Sequence, residues 1–199
     1  MNSVNYVVFD LGGVLVDWDP RYLYRKIFDT EDEVEDFLRD ICSPDWILQS
    51  DAGRNLEDCI ADLVAKFPDD AQAIRDYRER WHEMLAGPIE GTVEILQQLK
   101  SRDIPLYVLS NWSRDTWPNA VETFAFLNLF DGLVISGYEG VAKPNAKIYQ
   151  RLTDHGVRLE RAVLIDDRSD NIAAAKTLGM TGIHYVGCED LAKRLQDLN

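Results

Sequence analysis

The chain has 199 residues, 46% hydrophobic and 10% aromatic, and its 21 Lys and Arg against 35 Asp and Glu give a formal charge of −14. That much apolar material supports a packed core and excludes an intrinsically disordered chain, while the length suits one domain or a domain carrying a smaller insert. The acidic balance repels phosphate backbones and anionic headgroups, and no basic cluster offsets it, so no nucleic acid and no membrane partner is expected.

The three cysteines, Cys42, Cys59 and Cys188, are odd in number and in none of the paired zinc-binding spacings, which predicts free thiols in a reducing compartment. Residues 1–10 carry no basic segment ahead of their apolar run and no cleavage site. No apolar stretch approaches the ~20 residues of a membrane span. The expectation is a cytoplasmic protein, monomeric or homodimeric.

Residues 6–9 form a short apolar run that ends at Asp10 and Gly12-Gly13, the pattern of a buried strand delivering a carboxylate to a flexible turn. Almost a hundred residues without a convincing strand follow. Val34, Phe37, Leu38 and Ile41 share one helical stripe, Leu56, Ile60, Leu63, Val64 and Phe67 another behind a cap at Asn55, and Ile74, Tyr77, Trp81 and Leu85 a third. Together they predict an all-helical cap subdomain over 16–87, closed by Gly87-Pro88. Gly91-Thr92 opens a further helix with the face Val93, Leu96 and Leu99.

Three more strands are expected at 106–109, 133–135 and 162–165, ending in Ser110-Asn111, Ser136-Gly137 and Asp166-Asp167. Strands alternating with helices predict an α/β fold, a Rossmann-like parallel sheet built from 1–15 and 88–199, because parallel crossovers cover both sheet faces. In such sheets the ligand crevice lies beyond the carboxyl ends of the strands. Asp10, Ser110, Asn111, Asp166 and Asp167 all fall there.

Each of these groups has a chemical and a plain reading. Asp10 at a strand end before glycines suits a covalent nucleophile, with Gly12 and Gly13 letting main-chain groups approach a ligand; equally, it suits a turn aspartate. Ser110 and Asn111 suit phosphate binding or an ordinary cap, and Lys143, fixed by Pro144, suits an anion contact or a solvated position. Asp166 and Asp167 repel each other unless a cation compensates them, and hard oxygen ligands point to Mg²⁺ held by Asp10, Asp167 and a main-chain carbonyl; otherwise both cap a helix starting near Asn171.

Taken in order, each at a strand end and with a helical insert after the first, these four signals resemble the motifs of the haloacid dehalogenase superfamily, across essentially the whole chain. The resemblance is nearest to members with a helical cap between the first two motifs, and residues 9–14 and 165–171 resemble a group that includes a bacterial sugar 1-phosphate phosphatase. It implies Asp10 as nucleophile, Gly13, Ser110 and Asn111 as substrate contacts, Lys143 as the cation steadying nucleophile and phosphate, Asp10, Asp167 and the Gly12 carbonyl as metal ligands, and Asp166 as a supporting carboxylate.

Most phosphatases of the superfamily carry an acid where this chain has Gly12. That implies a bias toward leaving groups that depart readily, such as the anomeric oxygen of a sugar 1-phosphate, or an acid from elsewhere, with Asp17 and Asp19 as candidates. Trp18, Arg21, Trp46, Arg54 and Trp112 are the candidate selectivity residues. The implied activity is Mg²⁺-dependent hydrolysis of a small phosphorylated metabolite. The alternatives are a 2-haloacid dehalogenase, disfavoured because such enzymes usually replace the paired carboxylates, and a catalytically silent binding or regulatory module.

Overall fold

The computed structural model describes residues 4–196; residues 1–3 and 197–199, the two ends of the expected core, lie outside the described residues. Its strands are β1 (Tyr6–Phe9), β2 (Val16–Trp18), β3 (Leu85–Pro88), β4 (Leu106–Ser110), β5 (Gly132–Ile135), β6 (Ala162–Asp166) and β7 (Thr181–His184). Five of them make one parallel sheet in the order β5-β4-β1-β6-β7, so the chain winds outward on one side of β1 and then on the other. The point where the winding reverses is therefore the carboxyl end of β1. In the register Phe9 pairs with Val108 and with Ile165, which sets Asp10 one step beyond the pair, next to Asp166 and close to Ser110.

The pleat sends alternate residues of the sheet to opposite faces. Val7 and Phe9 join a cluster with Val108, Val163 and Ile165, while Val8 joins Leu109, Val134 and Leu164 on the other side. The first cluster continues through Leu11 and Leu15 into Tyr24, Phe37 and Trp46, so the helical insert shares its apolar interior with that face.

Between β2 and β3 lie α1 (Arg21–Tyr24), α2 (Glu31–Asp40), α3 (Pro44–Asp51), α4 (Leu56–Lys66) and α5 (Ala71–Glu79). Their starts follow local chemistry. Thr30 and Glu33 form a reciprocal capping box on α2, Ser43 caps α3 with Pro44 in its first turn, and Asn55 caps α4 as the sequence predicts. The core helices are α6 (Glu90–Ser101), α7 (Trp117–Thr123), α8 (Ser136–Glu139), α9 (Ala146–Gln150), α10 (Ser169–Thr177) and α11 (Cys188–Gln196).

Three features differ from the sequence expectation. β2 and β3 pair as an antiparallel ribbon at the neck of the insert, where only helix and a Gly-Pro loop are expected. β2 is too short for its alternation to show, and β3 contains the very Gly87-Pro88 that reads as a breaker. The third stripe does not run as one helix: Trp81 lies in a 3₁₀ turn and Leu85 in β3, both reaching inward by different routes. Finally, β7 is an added edge strand whose only buried residue is Ile183, so no apolar run announces it.

Candidate active site

Asp10 follows β1 and is almost completely buried. One of its oxygens accepts from the Leu11 N–H at 2.7 Å and from the Ser110 hydroxyl at 2.8 Å. The other lies 2.8 Å from the Lys143 ammonium, which also reaches Asp166 at 2.6 Å and has no exposed side-chain surface. Asn111 holds the main chain of Lys143 from both sides, accepting its N–H at 2.8 Å and donating to its carbonyl at 3.0 Å. Asp166 is fully buried and takes further bonds from the Asn171 amide at 3.0 and 3.1 Å and from the Arg168 N–H at 2.9 Å.

The site charges follow from this packing. Burial pushes the Asp10 carboxyl up to about 7, against the opposing pull of Lys143, and the nearby Asp166 and Asp167 add to the rise. For Lys143 burial works downward, yet the flanking Asp10 and Asp166 outweigh it and hold the ammonium above its ordinary value. Asp167, at the exposed edge, is raised by loss of water around it and by Asp166.

Oxygens of Asp10, Asp166 and Asp167 lie within 4.8 Å of one another. Asp10 and Asp166 share the Lys143 ammonium, and Asn171 and Arg168 also bond to Asp166. Asp167, at the exposed edge of the cluster, and the neighbouring Asp10 could hold a cation, and an all-oxygen donor set with surplus negative charge fits Mg²⁺. Gly13 completes the cradle. It sits at φ +71°, and a Cβ there would come 2.5 Å from the Asp167 carboxylate, so only glycine lets that carboxylate lie against the turn.

Beside Asp10 opens a cleft lined by Gly12 and Asn111 and by the rings of Trp18, Tyr77, Trp81 and Trp112. Ile47, Leu56, Ser50, Asp51, Ser113 and Thr116 complete it, so the insert supplies one wall and the sheet loops the other. The Trp112 indole N–H is buried and has no protein acceptor.

Residues 4–179 match the family of haloacid dehalogenase-like hydrolases. The chain belongs to that family. Among relatives of this hydrolase, a sesquiterpene phosphatase of Aspergillus oryzae is 27% identical over 179 residues, covering 89% of this chain and 87% of the relative. A flavin mononucleotide hydrolase of Arabidopsis thaliana is 30% identical over 112 residues, 55% of this chain and 45% of the relative. Among solved structures, a family enzyme of Bacteroides thetaiotaomicron in complex with magnesium and inorganic phosphate superposes with a TM-score of 0.69 at 22% identity, covering 90% of this chain and 93% of the other.

The hydrolase brings together Asp10, Gly12, Gly13, Ser110, Asn111, Lys143, Asp166 and Asp167. Of the candidate selectivity residues, Trp18 and Trp112 face the cleft. Trp46 instead packs inside the insert with its indole on the Cys59 carbonyl, Arg21 pairs with Glu35, and Arg54 pairs with Asp62. Asp17 accepts from the Tyr22 hydroxyl and Asp19 from the Arg21 N–H, and neither lines the cleft.

Sequence reading did not single out Asp51, the one carboxylic acid among the residues lining the cleft. It is the last residue of α3, where the negative end of the helix dipole disfavours a carboxylate. That local conflict is the signal in the sequence that points to it.

Proposed function

We propose that this hydrolase cleaves phosphate monoesters of small metabolites with Mg²⁺ through a phosphorylated aspartate. The observation that carries the reading is one buried carboxylate, Asp10, locked by Ser110, Leu11 and Lys143 and grouped with Asp166 and Asp167. The phosphatase and flavin mononucleotide hydrolase among its relatives support it, as does the phosphate in the Bacteroides complex.

In the first step an Asp10 oxygen bonds to phosphorus and the bond to the leaving oxygen breaks. In the second, water attacks the same phosphorus and releases phosphate, restoring Asp10. Lys143 pulls Asp10 toward its ionised form for the attack and places a positive charge beside the phosphoryl oxygens; Asn111 positions Lys143 through its main chain. The Ser110 hydroxyl orients Asp10 and lies within reach of the phosphoryl group, and Gly13 lets its loop approach closely. Asp10, Asp167 and the Gly12 carbonyl would hold the Mg²⁺, which supplies charge neutralisation between nucleophile and phosphoryl oxygens. Asp166 acts by holding Lys143.

The insert serves as the cap of this site, with 16–87 as the cap and 1–15 with 88–199 as the core. Gly12 favours substrates with a good leaving group such as a sugar 1-phosphate. The ring-lined cleft favours a second class, phosphate esters of apolar alcohols. A dehalogenase reading gains nothing from two further carboxylates, Asp166 and Asp167, converging beside the nucleophile. The unpaired thiols of Cys42, Cys59 and Cys188 support a reducing, cytoplasmic setting, and no helix among the described residues is long and apolar enough to cross a membrane.

The test is a screen of phosphorylated metabolites containing both substrate classes, with and without Mg²⁺, with Asp10→Asn as control. Metal-dependent phosphate release lost in a folded Asp10→Asn protein is the expected result. Turnover surviving that substitution, or halide release in excess chelator, overturns the reading.

A further inference from the structure

Expelling a sugar or alkyl alcohol from phosphorus near neutral pH generates an alkoxide unless a proton arrives as the bond breaks, a transfer typically worth ~10² to 10⁴ in rate. The groups around Asp10 are committed elsewhere. The Lys143 ammonium is shared between two carboxylates, the Ser110 hydroxyl donates to Asp10, and Gly12 has no side chain. Asp167 lies in the cluster assigned to the metal.

Across the cleft stands another carboxyl. Among the residues lining it, Asp51 is the only carboxylic acid, and the one other titratable group there is the Tyr77 phenol. Asp51 comes from the insert, lines the same cleft as Gly12, and feels the charge of Asp10. No cation pairs with it among the described residues.

Asp51 is also anchored to the core. The Ser113 main chain, in the loop after β4, lies near enough to its carboxyl to favour the ionised form. Just past it, Gly53 lies so near Gly140 that a Cβ would come 2.9 Å from the Gly140 Cα. A few residues further the Leu56 N–H donates to Asp115 at 2.8 Å. Three contacts within six residues therefore fix the end of α3 against the two loops that border the site.

We propose that Asp51 is the proton donor to the leaving group in this hydrolase, an assignment that rests on the phosphatase reading. As the phosphorus–oxygen bond breaks, its electron pair passes to the leaving oxygen, which takes the Asp51 proton and departs as the alcohol. In the second step the Asp51 carboxylate takes a proton from the attacking water, the Asp10–phosphorus bond breaks, and phosphate leaves with both aspartates restored. Burial, reinforced by the Asp10 charge, raises the Asp51 carboxyl to about 7 against the pull of the Ser113 main chain, which keeps it protonated in a useful range. Tyr77 is held well above its ordinary value by burial and by Asp51, so its phenol is a far weaker donor at that pH.

The experiment compares kcat/KM for p-nitrophenyl phosphate, whose leaving group needs no proton, with that for alkyl phosphates, in the full chain with Mg²⁺. Asp51→Asn keeps a carbonyl oxygen near the Ser113 main chain; Asp51→Ser is the second variant, and either one that folds decides the matter. The expected loss is about 10²-fold or more for alkyl phosphates and less than about threefold for p-nitrophenyl phosphate, with Asp51→Glu recovering part of the alkyl rate. Equal loss on both ester types identifies a structural role and overturns the proposal, as does unchanged alkyl turnover. A parent protein that releases phosphate from no ester overturns the phosphatase reading and this assignment with it.

Discussion

Replacing Lys143 with methionine removes one charge while leaving the volume of the side chain nearly unchanged, so the effect is electrostatic rather than that of a cavity. The ammonium lies 2.8 Å from Asp10 and 2.6 Å from Asp166, with no exposed surface on its own side chain. Breaking a buried pair by removing one partner costs about 3–5 kcal/mol. With a urea slope of roughly 2 kcal/mol per molar, the unfolding midpoint at pH 8 without metal should fall by roughly 1.5–2.5 M.

The sign of the pH dependence follows from the same groups. Asp10 already holds its proton to about 7, far above its ordinary 3.8, and Lys143 opposes that rise. Without Lys143 the folded state binds protons more tightly than the unfolded chain over a wider range, so stability falls as pH climbs from about 4 through the folded value. The deficit should therefore shrink at pH 5. Adding Asp166→Asn should restore part of the loss at pH 8, giving a coupling of about 1–3 kcal/mol. Urea unfolding followed by circular dichroism reads all three proteins. A single variant within about 1 kcal/mol of the parent at pH 8, or strictly additive losses, would refute the reasoning.

Gly13→Ala places a Cβ 2.5 Å from the Asp167 carboxylate at a positive φ, so it should weaken the thermal stabilisation by Mg²⁺ more than it lowers the melting temperature of the metal-free protein. For the parent, Mg²⁺ at about a hundred times Kd should add ~2.7 kcal/mol, or roughly 6–10 °C in Tm, at pH 7.5. The gain should shrink at pH 5, where the raised Asp10 carboxyl holds a proton against the cation; an equal gain at both pH values argues against Asp10 as a ligand. Gly12→Asp meets no atom within 4 Å of its Cβ, so it should fold and return alkyl phosphate cleavage to an Asp51→Asn background. Failure to do so in a folded protein means the leaving oxygen lies out of reach of position 12.

The core of this site was legible because parallel strands end in their functional residues. Residues 6–9, 106–109 and 162–165 are apolar on both faces, and the polar residue that breaks each run is the one that reaches the crevice. Asn111 was legible in position but not in detail, since nothing in a Ser-Asn pair says that the amide will clamp the main chain of Lys143. Asp17 and Asp19 drew attention by nearness in sequence, whereas their bonds are spent on Tyr22 and on the start of α1. Asp51 lies 41 positions beyond Asp10, and only the folding of the insert over the sheet brings it to the cleft. The β2–β3 ribbon was hidden for a similar reason: each strand is short, and their pairing spans the whole insert.

The most direct measurement is acid quenching of the protein during steady-state hydrolysis with Mg²⁺, followed by mass spectrometry of its peptides. The result expected is the mass of one phosphoryl group on the peptide containing Asp10, absent in Asp10→Asn. Steady turnover with that peptide unmodified, in a variant or at a pH where breakdown of the phosphoenzyme limits the rate, or phosphate trapped on any other residue, would contradict covalent attack by Asp10.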